Sequence, residues 1–130
     1  MSPSAQQKRG AARILSVSYY EPGLETRKHV LAQAGFEVIN TTRVEEATAL
    51  CQREDYDAAV LGDSIPLPVR MQLAADLRGH CPNMPVVLMT RPGEDCRGDG
   101  HYCTGSLDGP AALLATIQRA INEAEQEAAS

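Results

Sequence analysis

The stretch Ala58-Ala59-Val60-Leu61 is apolar at consecutive positions, directly after Tyr56-Asp57. A strand apolar on both faces has to be covered on both faces, the situation of a parallel sheet flanked by helices. Pro85-Val86-Val87-Leu88-Met89-Thr90 is a second run of the same kind. Arg13–Ser18 and Phe36–Ile39 read as the strands before them, and His101-Tyr102-Cys103-Thr104 as a weak fifth strand after them.

Helical patterns lie between these runs. Pro22 and Gly23 open a helix that reaches about Ala34. Proline in a first turn loses no hydrogen bond, and Gly35 sits where a left-handed cap ends a helix. Thr41-Thr42 offers an N-cap, with Glu45 at capping-box spacing from Thr42. Val44, Ala47, Leu50 and Cys51 then line one helical face. Pro66 and Pro68 precede a third helix over about Val69–Arg78. Pro110 starts the last one, striped by Leu113, Leu114, Ile117, Ala120, Ile121 and Ala124. Residues 91–100 carry Pro92, Gly93, Gly98 and Gly100 and read as loop.

Five strands alternating with helices predict one α/β domain with right-handed crossovers. Its expected extent is 12–124, after a disordered lead-in over 1–11 and before a fraying tail over 125–130. A chain of 130 residues, 43% of them hydrophobic, can bury a core without metal or disulfide staples. A net charge of −5 without a basic face argues against nucleic acid as a partner. No apolar run approaches the roughly 20 residues of a membrane span. The start has no apolar signal-peptide region, so the expected location is cytoplasmic. In a reducing cytosol Cys51, Cys81, Cys96 and Cys103 are expected as free thiols, with Cys51 packing inside its helix.

In such sheets ligands bind at the carboxyl ends of the strands. The chain resembles the receiver domain of two-component response regulators over about Arg13 to Ala124. The resemblance is carried by Arg13-Ile14-Leu15-Ser16-Val17, Leu31–Val38, Tyr56–Leu61, Met84–Thr90 and Gly109–Leu114. It implies a flavodoxin-like three-layer sandwich with a five-stranded parallel sheet in the order 2-1-3-4-5. The segment from Thr90 to Gly105 is shorter than the family's, so the fourth helix of the family is expected to be shortened or missing.

Receivers of this family phosphorylate an aspartate at the end of the third strand. Two acidic residues after the first strand hold Mg²⁺, and a Thr or Ser and a Lys bind the transferred phosphoryl group. The resemblance puts the acidic pair at Ser18 and Tyr19, followed by Tyr20, with Glu21 the first carboxylate. It puts the acceptor at Gly62 and the lysine at Gly105, followed by Ser106 where the family has proline. Only Thr90 matches. Asp63 lies one residue past the acceptor position, and a one-residue shift along a strand turns a side chain to the other face. Asp63 therefore reads as a polar loop residue before Pro66, with a displaced acceptor as the rival reading. At least one of Tyr19 and Tyr20 is expected to fill the vacated pocket.

Cys81, Cys96, His101 and Cys103, with His80 nearby, are zinc-type ligands. Structural zinc favours tight C-x₂₋₄-C pairs, and here only His101 and Cys103 are close, on one face of a strand. No metal and no cofactor is assigned. There is no GxGxxG, P-loop or G-x-S-x-G motif, and no catalytic residue is assigned.

These observations predict a degenerate receiver, not an enzyme, acting in signalling through a protein partner in trans, either a kinase or an effector. A homodimer is compatible with this reading and would use the last helix or another helix other than the fourth. The rival classes are a working receiver using Asp63 or Glu21, and a small-ligand or metal sensor.

Overall fold

A computed structural model describes residues 10–129 except 97 and 99. Nine elements follow in chain order. They are β1 (Arg13–Val17), α1 (Glu21–Gln33), β2 (Glu37–Thr41), α2 (Val44–Arg53), β3 (Ala58–Leu61), α3 (Leu67–His80), β4 (Val86–Thr90), β5 (His101–Gly105) and α4 (Pro110–Ala129). The sheet is parallel throughout, in the order β2-β1-β3-β4-β5.

The pleat divides the core in two. Leu15, Val17, Ala59, Leu61, Val86 and Leu88 face α2 and α3. Ile14, Ala58, Val60 and Val87 face α1 and α4, where Leu113, Ile117, Ala120 and Ile121 meet them. Every side chain of β3 is buried, as a strand covered on both faces requires. No helix is long and apolar enough to cross a membrane among the described residues.

Between β4 and β5 the described residues form turns and no helix, as the Gly and Pro content predicts. The parallel register brings Val17, Leu61, Thr90 and Gly105 to one end of the sheet. The residues that follow each strand therefore converge there.

Three expectations need correction. The tail over 125–130 is continuous helix as far as Ala129. Nothing after Pro110 breaks it, because Glu, Gln and Ala are strong helix formers. The lead-in over 1–11 lies outside the described residues apart from Gly10 and Ala11. Neither Thr41 nor Thr42 caps α2: its N-cap is Arg43, with no side-chain cap bond, while the Thr41 hydroxyl accepts the Arg43 N–H at 3.1 Å and donates to Glu46 at 2.5 Å. Finally, the cysteines are paired, Cys51 with Cys81 and Cys96 with Cys103. Cys51 on α2 and Cys81 at the end of α3 meet because these helices pack side by side. The Cα–Cα separation is 6.4 Å in each pair, within reach of a disulfide.

Leu88 is completely buried in β4, between β3 and β5. Truncating it in Leu88→Ala removes apolar contact and leaves a cavity. A loss of about 2–4 kcal/mol is expected in denaturant unfolding.

Candidate functional site

The convergent loops after β1, β3, β4 and β5 form the candidate site. Ser18 follows β1 and is buried. Its hydroxyl lies 2.6 Å from that of Ser64, and Ser64 Oγ also accepts the backbone N–H groups of Tyr19 at 2.9 Å and Tyr20 at 3.2 Å. One serine from the loop after β3 thus ties down the start of α1. Tyr19 and Tyr20 themselves are 47% and 60% exposed. The expectation that one of them fills the pocket is wrong, because the Ser64 bonds take up their amides and leave the rings outside. Tyr20 instead lies against Gly23, where an added Cβ would sit 3.2 Å from its ring. Glu21 is exposed in the first turn of α1.

Arg27 fills the interior that the tyrosines leave. It reaches from α1 to the sheet, is 8% exposed, and donates to Ser16 Oγ at 2.8 Å. Burial lowers its pKa, opposed by the charge of Asp63. Gly62 faces this group. A Cβ built on Gly62 would lie 2.6 Å from Ser18 Oγ, 2.8 Å from Arg27 Nη2 and 2.9 Å from Ser18 Cβ. The position at which an acceptor would stand therefore has no room for a side chain. At position 105 a Cβ would lie 2.5 Å from Asp108 Oδ2, so a side chain there would displace the Asp108 carboxylate.

Arg70 is the second guanidinium, on α3 and fully buried. It donates to the carbonyls of Ile65 (2.6 and 3.0 Å), Asp63 (3.1 Å) and Met89 (2.9 Å). It also pairs with Glu94 at 2.7 Å. Asp63 is only partly enclosed, and its carboxylate lies 3.9 Å from Arg91 Nε. Thr90 donates to the Thr104 carbonyl at 3.4 Å. Of the residues named from the sequence, Ser18, Gly62, Asp63, Thr90 and Gly105 do converge at this end of the sheet.

Ser64, Arg27 and Arg70 were not singled out from the sequence. The arginines had a signal. Leu24, Arg27 and Leu31 are the buried residues of α1, and Arg70, Leu73, Ala74 and Leu77 those of α3. In each helix a charge stands on the apolar stripe, at a position whose helical spacing points inward. Ser64 had no comparable signal.

Glu21 and Asp63 belong to no cluster of three or more ligating side chains among the described residues. Such a cluster forms elsewhere: Cys96, His101 and Cys103 each offer a ligand atom, all within 4.8 Å of one another. The loose spacing concealed this. His80 lies outside it, its Nδ1 2.8 Å from the Asp76 carbonyl, and Cys81 is taken by Cys51.

No protein-family model matches the chain, and no curated protein resembles it significantly. Its fold does match solved structures. A response regulator receiver domain protein from Clostridium thermocellum has a TM-score of 0.79 at 20% identity, covering 88% of this chain and 98% of the other. A CheY-like receiver domain protein from Methanospirillum hungatei JF-1 has a TM-score of 0.75 at 22% identity, covering 90% and 98%. A chain in the complex of histidine kinase ThkA with response regulator protein TrrA has a TM-score of 0.72 at 20% identity, covering 83% and 97%. The chain has the receiver-domain fold.

Two outcomes test the site. Gly62→Ala forces a methyl group against Ser18 Cβ and the Arg27 guanidinium, and overpacking of this kind costs about 1–3 kcal/mol. A lowered thermal midpoint is the expected result. The second concerns acid. The hydrogen bond from Arg70, then that from the Arg91 amide, holds the Glu94 carboxyl below the usual carboxylate range. A depressed folded pKa stabilises above the unfolded value of about 4.3. That stability is lost as pH falls from there through the lower folded pKa. Glu94→Gln should flatten this part of an acid-unfolding profile.

Proposed function

We propose that this chain is a degenerate receiver-type domain, working in signal transduction by contact with a protein partner in trans and without aspartyl phosphorylation. The observation that carries this reading is the closed acceptor position. Gly62 has no side chain to phosphorylate, and Ser18 and Arg27 occupy the space beside it.

The chemistry points the same way. Carboxylate attack on a phosphoryl group joins two anions, so the site must supply compensating charge, which receivers draw from Mg²⁺ and a lysine. Neutral hydroxyls such as those of Ser18 and Ser64 compete poorly with water for a hard cation. A buried guanidinium beside Gly62 repels such an ion further. Gly105 carries no charge, and Thr90 offers a single hydroxyl.

Asp63 is the rival acceptor. Its partial exposure and the nearby Arg91 favour that reading, while its lying in no cluster of three or more metal-ligating side chains among the described residues weighs against it. One fold neighbour is a chain in a complex of a histidine kinase with a response regulator. A kinase or effector protein is the class of partner we propose for this chain, with neither nucleic acid nor membrane. The proposed setting is the cytoplasm.

Incubation with Mg²⁺ and acetyl phosphate should leave the intact mass unchanged. A phosphate adduct that disappears in Asp63→Asn would make Asp63 a displaced acceptor and sink the proposal.

A further inference from the structure

We propose that the loop joining β4 to β5 is a binding site for a thiophilic divalent ion of the Zn²⁺ class, ligated by Cys96, His101 and Cys103 when the cysteine pair is reduced. The inference does not rest on the signalling reading.

The ligand atoms are already gathered. Both sulfurs and a ring nitrogen of His101 lie within 4.8 Å of one another. Tetrahedral zinc, with Zn–S about 2.3 Å and Zn–N about 2.0 Å, needs its ligand atoms roughly 3.5–4 Å apart. The bonded sulfurs reach that spacing by parting on reduction, and the ring nitrogen already stands within 4.8 Å of both. The local structure explains the gathering. His101 and Cys103 are two residues apart on β5, so their side chains leave the same face. Cys96 returns to them from the loop and is buried.

The histidine is arranged as a ligand. Its Nε2 is hydrogen-bonded to the Cys96 carbonyl. A carbonyl only accepts, so this bond fixes the proton on Nε2 and leaves the lone pair on Nδ1. Nδ1 is buried and has no hydrogen-bond partner. Metal-ligating histidines are commonly oriented in this way, with the second ring nitrogen donating to a carbonyl. A buried, unpaired lone pair is costly unless something accepts it, and a metal ion would. Gly98 contributes by lacking a side chain, since a Cβ there would lie 3.0 Å from His101 Cε1.

A dithiol reductant gives two electrons and two protons to the Cys96–Cys103 disulfide. The S–S bond of the pair breaks, two thiols form, and the reductant becomes a disulfide. Zn²⁺ then displaces the two thiol protons, leaving two thiolates that neutralise its charge. Three protein ligands leave a fourth position open, which water or an exogenous group fills. A cleft lined by Thr90, Gly93, Glu94, Cys96 and Cys103 lies beside the cluster, so that position can face a ligand.

The test uses the full chain reduced with a phosphine, titrated with Zn²⁺ by calorimetry and with Co²⁺ by absorption. One equivalent of metal is expected, with a thiolate-to-cobalt charge-transfer band. Cys103→Ser and His101→Gln should each weaken binding by more than the roughly 10–100-fold that loss of an outer-shell partner produces. The double variant Cys51→Ser, Cys81→Ser should bind as the unaltered chain does. Absence of binding to the reduced, unaltered chain would overturn the proposal, whatever the variants do. So would binding that survives Cys103→Ser, or binding that disappears with Cys51 and Cys81.

Discussion

Arg70 organises the carboxyl end of the sheet. A guanidinium fully removed from water is tolerable only when nearly all of its donors are satisfied and its charge is answered. The carbonyls of Asp63 and Ile65 after β3, the carbonyl of Met89 in β4 and the carboxylate of Glu94 do this. Each of these groups must then stay where it is. The loop after β3 is drawn toward α3, the end of β4 is held, and the loop beyond β4 is pinned by the Arg70–Glu94 ion pair. Moving any one of them would strand a charge or a carbonyl in a dry place.

Arg27 plays the matching part on the other face of the sheet. The resemblance to receivers leads one to expect a cluster of carboxylates around a metal ion there. The chain has instead serines on β1 and after β3, a glycine at the acceptor position, and a cation reaching in from α1. These changes are mutually consistent: the small residues leave the room that a guanidinium takes up. Burial lowers the Arg27 pKa, and the charge of Asp63, at the margin, opposes that shift.

Most of the fold was legible in the sequence. The apolar runs at 58–61 and 85–90 and the Pro and Gly punctuation around them are local signals, and the elements they predict are present. The positions that converge on the pocket were legible too, because parallel strands in this order place their following residues together. The contents of the pocket were not. Tyr19 and Tyr20 are large and apolar enough to suggest filling, yet their orientation is decided by Ser64, forty-five residues downstream of Tyr19. The pairing of Cys51 with Cys81 likewise depends on the packing of α2 against α3. Arg27 and Arg70 were within reach, since a charge on an apolar stripe demands an internal partner. Which partner it finds is a tertiary fact.

The segment between β4 and β5 shows how the two levels meet. It is too short and too rich in glycine to form a helix, so it cannot satisfy its own backbone by regular bonding and cannot cover the sheet by an amphipathic face. It is held by side chains at separate points. Glu94 anchors its first half to Arg70, and Cys96 joins its second half to β5 through Cys103 and His101. The two anchors are two residues apart in the chain. A change in the bonding of Cys96 therefore lies one short stretch of backbone from Glu94, and through Arg70 from the ends of β3 and β4. On the proposed reading, in which the domain works without aspartyl phosphorylation, this loop is the part of the carboxyl face in which a change of ligand or redox state has a direct mechanical route to the sheet.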